Sequence, residues 1–132
     1  MIHVDTNVII DVLDPKSAFH TGSREALAEV FESEGVAMSQ VVYSELAVGF
    51  SDRADLDRAI GKLGVTRLIM SDDALFLAGR AYAAYRRRSG KRESILPDFF
   101  IGAHALSADA KLLTRDPKRY RTAFPTLKLI EP

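Results

Sequence analysis

Two aspartates bracket the stretch LPDFFIGAHALSADAKLLTRD (96–116): Asp98 at the front of a mostly apolar segment, and Asp116 after the β-prone run KLLT. A third acid, Asp5, follows the apolar run Ile2-His3-Val4, and a fourth, Glu45, interrupts QVVYSELAV. Aspartate beside a helix start ordinarily caps it by accepting from the first free N–H groups, and taken singly Asp5, Asp98 and Asp116 all fit that role. Glu45 needs another account. With Val41 and Val48 it falls at i, i+4 and i+7 of a helix, which lays its carboxylate along an apolar stripe. An ionised carboxylate buried there requires a partner, and no lysine or arginine lies between Arg24 and Arg53 to serve locally. Unrelated caps have no reason to converge with an inward glutamate, whereas a hard divalent cation supplies one. An oxygen-only donor set suits Mg²⁺ or Mn²⁺ better than metals that favour imidazole or thiolate.

Other chemistries find less support. The chain has no cysteine, which excludes disulfides and thiolate metal sites and makes a reducing cytoplasm the expected setting. His3, His20 and His104 share no ligand spacing and read as packing residues. Ser44 lacks a histidine arrangement that would activate it. Phe99, Phe100, Tyr82 and Tyr85 sit at helical spacings and read as core or interface, while Tyr120 and Phe124 stay open between core and site.

The formal net charge of zero hides an asymmetry: residues 1–60 hold eleven Asp/Glu against four Lys/Arg, and residues 61–132 seven against fourteen. In the basic half, RRRSGKR (Arg86, Arg87, Arg88, Lys91, Arg92) is either a phosphate-binding stretch or a solvated helix end favoured by the macrodipole. Arg115, Lys118, Arg119 and Arg121 flank Asp116 and are the better candidates for holding a polyanion.

The elements that must position these residues alternate. Strands are expected at Ile2–Val4, 36–38, 66–70, 111–114 and 127–130. Helices are expected at 8–13 (closed by Pro15), 18–34 (stopped by Gly35), 40–48 (capped by Ser39), 54–63, 72–88, and 97–108 with Pro97 in its first turn and Phe99, Gly102 and Leu106 facing the core. A short helix follows Asp116-Pro117. The 132 residues, 47% of them hydrophobic, make one domain (1–132) without repeats, linkers or a run of membrane-spanning length. The start at Met1 leads straight into a strand, so no export leader is expected. Alternation implies an α/β/α sandwich, three layers around a mostly parallel sheet. In such sheets ligands bind beyond the carboxyl ends of the strands, the rim where Asp5, Asp98 and Asp116 should meet.

The ordered set of DTN near the start, SE in the third helix, an acid heading LPDFF and the closing TRD resembles PIN-domain ribonucleases, particularly VapC-type toxins of toxin–antitoxin pairs. The likeness covers nearly the whole chain and is weakest over 50–95. It implies that Asp5, Glu45, Asp98 and Asp116 bind Mg²⁺ or Mn²⁺, with Thr6, Asn7 and Thr114 supporting them. It also implies endoribonucleolytic hydrolysis of RNA, transfer RNA among the candidates, with 5′-phosphate and 3′-hydroxyl ends, together with a homodimer and an inhibitory antitoxin. Three alternatives compete. A receiver-type signalling domain would have paired acids after the first strand, where DTN stands. A haloacid-dehalogenase-type phosphatase would have an acid at the position of Asn7. A non-catalytic PIN-shaped binding module would leave the four acids without a use.

Overall fold

Apolar runs punctuated by caps, glycine and proline settle the element boundaries. The computed structural model describes residues 1–88 and 94–132. In chain order the elements are β1 (Ile2–Val4), α1 (Thr6–Leu13), α2 (His20–Glu34), β2 (Val36–Ser39), α3 (Gln40–Ala47), α4 (Arg53–Leu63), β3 (Thr66–Leu68), α5 (Asp72–Arg88), α6 (Leu96–Ser107), β4 (Leu112–Leu113), α7 (Lys118–Arg121) and β5 (Leu129–Ile130). Asp5 caps α1, Ser39 caps α3 through the N–H of Val42, and Gly35 and Gly64 end α2 and α4 at φ of 78° and 69°. At Gly64 the ring of Phe31 also lies where a β-carbon would stand.

The strands form one five-stranded sheet in the order β3-β2-β1-β4-β5, every pair parallel. The chain winds outward from β1 through β2 to β3, then returns to β4 on the other side. Right-handed crossovers therefore put α1 to α4 over one face and α5 to α7 over the other, giving the expected three layers. The reversal of winding lies between β1 and β4, paired at His3 with Leu112 and Val4 with Leu113. That junction is where an open parallel sheet leaves a crevice.

Burial on both faces explains why the central strands are continuously apolar: Ile2, Val4, Val36, Met38, Leu112 and Leu113 are all within 2% of full burial. His3 is the exception. It stacks edge-on against His104 of α6 at 4.8 Å between ring centroids, with both rings buried, in accord with a packing role. On the α5–α7 face, Phe99 sits among Tyr82, Tyr85 and Phe124. Leu106, expected to face the core, is half-buried and packs at its margin.

The α3 stripe differs from the expectation. Val42 and Leu46 point into the core, whereas Val48 is 90% exposed and Val41 is half-buried. Glu45 consequently flanks the buried stripe and is only half-buried. The helix begins at Gln40 with Ser39 as its cap, as expected, and its seat on the sheet buries Val42 and Leu46.

Gly102 marks a close approach of α6 to α7 and the segment that follows it. A β-carbon there would lie 2.6 Å from the ring of Phe124 and 3.1 Å from that of Tyr120, both nearly inaccessible side chains. Helix propensity alone favours Gly102→Ala by about 1 kcal/mol, but overpacking a closed core typically costs about 1–3 kcal/mol. Overpacking should win, because neither ring has solvent to move into. Chemical denaturation of Gly102→Ala should show a net loss of stability; an unchanged or raised midpoint would mean the rings yield freely.

Candidate acidic active site

Asp5 leaves the end of β1 and is 3% exposed. Its backbone N–H still belongs to the sheet, donating to the Leu113 carbonyl at 2.9 Å. Its carboxylate is enclosed by neutral donors. Oδ1 accepts from the Thr6 N–H at 2.7 Å, and Oδ2 accepts from the hydroxyls of Thr114 at 2.7 Å and Tyr120 at 2.8 Å. Burial pushes this carboxyl above its ordinary value even though all three bonds, and the charge of Arg119, pull the other way.

Asp98 enters from α6. Its backbone N–H donates to the Ile95 carbonyl and its Oδ2 accepts from the Ile95 N–H at 2.9 Å, so the residue does cap its helix. Capping engages one oxygen; Oδ1 faces Arg119 at 3.7 Å. Burial pushes the Asp98 carboxyl up to about 6, opposed by the Ile95 bond and Arg119 and reinforced by Asp5 and Glu45. That mutual repulsion places three of the four acids within each other's field.

Glu45 is joined to the group by Thr6, whose hydroxyl donates to its Oε1 at 2.6 Å. The partner the glutamate required is thus a threonine hydroxyl, itself bonded through its N–H to Asp5. Asp116, with a side chain 43% exposed, is joined on the other side: the Thr114 hydroxyl accepts from its N–H at 3.0 Å while donating to Asp5. Asn7 accepts from the Arg115 N–H at 3.3 Å, leaving its buried Nδ2 without a partner. All seven residues expected at the site therefore gather on the rim beyond β1 and β4.

An oxygen-only set with two buried carboxylates, Asp5 bonded only to neutral donors and Asp98 facing a single arginine, is short of positive charge and so suits a hard divalent cation. Among the described residues, however, no three Asp, Glu or His side chains already stand as a closed cage. The acids are held one bridging group apart: Thr6 between Asp5 and Glu45, Thr114 between Asp5 and Asp116, and Arg119 between Asp98 and Asp116.

The cations expected to meet a polyanion divide. Arg115 turns inward: its Nε donates to Asp11 Oδ2 at 2.7 Å and its guanidinium lies 4.1 Å over the Phe19 ring. Arg119 is occupied by Asp98 and Asp116. Lys118 is exposed, and exposed Arg121 lies 3.7 Å from Glu131. Arg86, over the Tyr82 ring, Arg87 and Arg88 are exposed at the end of α5. Lys91 and Arg92 lie outside the described residues.

Two contributors escaped the sequence reading. Tyr120 closes the top of Asp5, but the four-residue helix carrying it has too little periodicity to reveal which way it faces. Asp11, 3% exposed, accepts from Ser17, Ser23 and Arg115. Burial alone would raise its carboxyl; those bonds and the Arg115 charge hold it below the ordinary range. Its place among Ile9, Ile10, Val12 and Leu13, three residues after buried Val8, was a usable signal of the same kind that picked out Glu45.

The raised Asp98 value has a thermodynamic consequence. A folded-state pKa of about 6 against an ordinary 3.8 means that ionisation opposes folding; stability from this group is complete below the unfolded value and is lost as pH rises through about 6. Buried His3, lowered to about 4 from 6.5, acts in the opposite sense, its stability being present above 6.5 and lost as pH falls towards 4. In metal-free protein, Asp98→Asn should raise the melting temperature above pH 6, by up to about 3 kcal/mol in stability, and should leave a steeper decline on acidification. Melting curves that coincide with wild type at pH 7.5 would contradict this.

A family model for the PIN domain matches residues 2–125. Among solved structures, VapBC2 from Rickettsia felis, bound to a DNA fragment from its promoter, is 19% identical with a TM-score of 0.73, the match covering 99% of this chain and 98% of that one. VapBC-1 from nontypeable Haemophilus influenzae is 24% identical with a TM-score of 0.72, covering 99% and 98%. VapC20 from Mycobacterium tuberculosis, a sarcin–ricin loop cleaving toxin, is 20% identical with a TM-score of 0.57, covering 84% and 85%. At these identities the likeness shows the fold alone. No curated protein matches. The family model spans nearly the whole chain and the same fold recurs from end to end in the solved neighbours, so this chain belongs to the PIN domain family.

Proposed function

We propose that the chain is a divalent-metal-dependent endoribonuclease of the VapC type, hydrolysing RNA phosphodiester bonds and restrained by an antitoxin. The observation that carries this reading is the gathering of Asp5, Glu45, Asp98 and Asp116 at the winding reversal of a PIN fold, two of them buried and bonded to neutral or backbone donors. The toxin–antitoxin neighbours support the antitoxin, and the RNA-cleaving one supports the substrate class. A homodimer and a cytoplasmic setting complete the proposal; exposed Leu75 and Phe76 of α5 offer an apolar face, and no described helix is long and apolar enough to cross a membrane.

Asp5, Glu45, Asp98 and Asp116 would hold one or two Mg²⁺ or Mn²⁺ ions. When bound, such an ion neutralises the phosphodiester's repulsion of an incoming hydroxide, lowers the pKa of a bound water and stabilises the leaving 3′-oxygen. The chain's own residues do the rest. Thr114, Tyr120 and the Thr6 N–H fix both Asp5 oxygens in orientation, and the Thr6 hydroxyl fixes Glu45. Asp116, its side chain 43% exposed, would orient the attacking water. Lys118 and Arg121, with Arg86, Arg87 and Arg88 farther along the surface, would hold backbone phosphates. Arg115 contributes instead by fixing the Asp116 loop to α1 through Asp11.

Membership of the PIN family sets aside the receiver-type and dehalogenase-type alternatives. The non-catalytic module keeps one observation in its favour, the absence of a closed cage among the described residues. Mn²⁺ titration separates the two: wild type should gain thermal stability and Glu45→Gln should not, and a wild type indifferent to Mn²⁺ favours the binding module. In nuclease-free preparations Asp5→Asn should reduce hydrolysis to background. Thr114→Val and Tyr120→Phe, which spare the carboxylates and remove only their orienting hydroxyls, should lose about 10–100-fold in activity or metal affinity. For RNA held by phosphate contacts, Lys118→Ala and Arg121→Ala should each lower the salt-dependence slope by roughly 0.7; slopes equal to wild type would exclude both from the interface.

A further inference from the structure

Arg119 occupies an unusual position for a cation beside a candidate metal site. Its Nη2 lies 3.3 Å from Asp116 Oδ2 and its Nη1 3.7 Å from Asp98 Oδ1. It also lowers the carboxyl of Asp5, so one guanidinium acts on three of the four acids. Its place is secured by its backbone. The Arg119 N–H donates to the Asp116 carbonyl at 3.2 Å, and the buried Ser94 hydroxyl donates to the Arg119 carbonyl at 2.8 Å, clamping α7 to the segment that leads into α6 and Asp98. The side chain is far less constrained: it is 40% exposed and neither ion pair has the short contact that Arg115 makes with Asp11. A fixed backbone with a loosely paired head is the arrangement of a group that can leave.

We propose that Arg119 is the resident counter-cation of the acid cluster, neutralising Asp98 and Asp116 while the site is free of metal and competing with a divalent cation for the same oxygens. The inference rests on the metal-dependent reading of the site and adds to it a built-in threshold. Filling the site then requires the ion to displace a guanidinium as well as shed water, and the displaced cation, still tethered at the rim, becomes available to a substrate phosphate. Arg119 thereby changes duty with the state of the site. In the absence of metal it suppresses the repulsion among Asp5, Glu45 and Asp98 that would otherwise oppose folding.

The test is Mn²⁺ binding, measured by calorimetry and water proton relaxation without RNA, together with melting temperatures of the full chain in EDTA and in saturating MnCl₂. Arg119→Gln should bind Mn²⁺ about five- to tenfold more tightly, melt lower than wild type in EDTA, and recover that difference in MnCl₂. Arg119→Lys keeps a positive charge on a flexible stem and should stay near the wild-type affinity. Arg58→Gln, which breaks an exposed pair with Asp55 elsewhere, should leave Mn²⁺ affinity alone. A merely structural arginine would lower stability in both conditions and weaken binding. Unchanged or weaker Mn²⁺ affinity in Arg119→Gln, with wild type binding normally, overturns the counter-cation role and leaves the nuclease reading intact. A wild type that binds no Mn²⁺ overturns both.

Discussion

The removal of one carboxylate from water governs this structure. β1 is the middle strand, flanked by β2 and β4, and Asp5 at its end is covered by Thr6 of α1 and Tyr120 of α7, which leaves it 3% exposed. The fold meets this burial with hydroxyl and amide donors in place of a paired cation. Neutral donors fix an anion's orientation without cancelling its field. Asp98 is raised first by its own burial, and the uncancelled field of Asp5 adds to it. A domain built for stability alone would have an apolar residue at either place; the acids persist because the remainder of the core, from Ile2 through Leu113, is dry and densely packed enough to carry them.

Arg115 and Arg119 are four residues apart and serve opposite ends. Arg115 meets a buried aspartate that already accepts from two serines, and its other face is covered by Phe19, so its guanidinium is closed in from two sides. Because Arg115 precedes Asp116, that closure fixes where the loop after β4 emerges. Arg119 meets acids that have other obligations: Asp98 is engaged with the Ile95 N–H, and Asp116 is open to solvent. The first arginine contributes rigidity, the second contributes charge that can be moved.

Sequence patterns disclosed the layers and most boundaries because those depend on local signals: Ser39, Gly35 and Pro97 act within a turn of where they stand. The rim position of the acids was also legible, since strand ends in a parallel sheet share one edge. Register on a short helix was not. Val41, Glu45 and Val48 and the pair Val42 and Leu46 both make plausible stripes over eight residues, and only packing against the rest of the fold chooses the second. Pairings across long separations were invisible as well. Nothing in the run TRDPKRYR says that its first arginine reaches back to Asp11 or that its tyrosine roofs Asp5, 115 positions earlier. A basic run looks uniform in sequence, and tertiary contacts divide it.

The four acids come from four separate segments, yet they divide into two kinds by their support. Asp5 and Asp98 hang from the central strand and from the best-buried helix, and move only if the core moves. Glu45 and Asp116 are half-open, held by one threonine hydroxyl each, Thr6 through the Glu45 carboxylate and Thr114 through the Asp116 N–H. The buried pair therefore sets the field and the open pair adapts to whatever the field attracts. On the proposed reading, this division lets the acids stand short of a closed cage and still act together. The rigid half supplies the charge deficit, and the distance left between the halves is spanned by Arg119, a cation the chain itself provides.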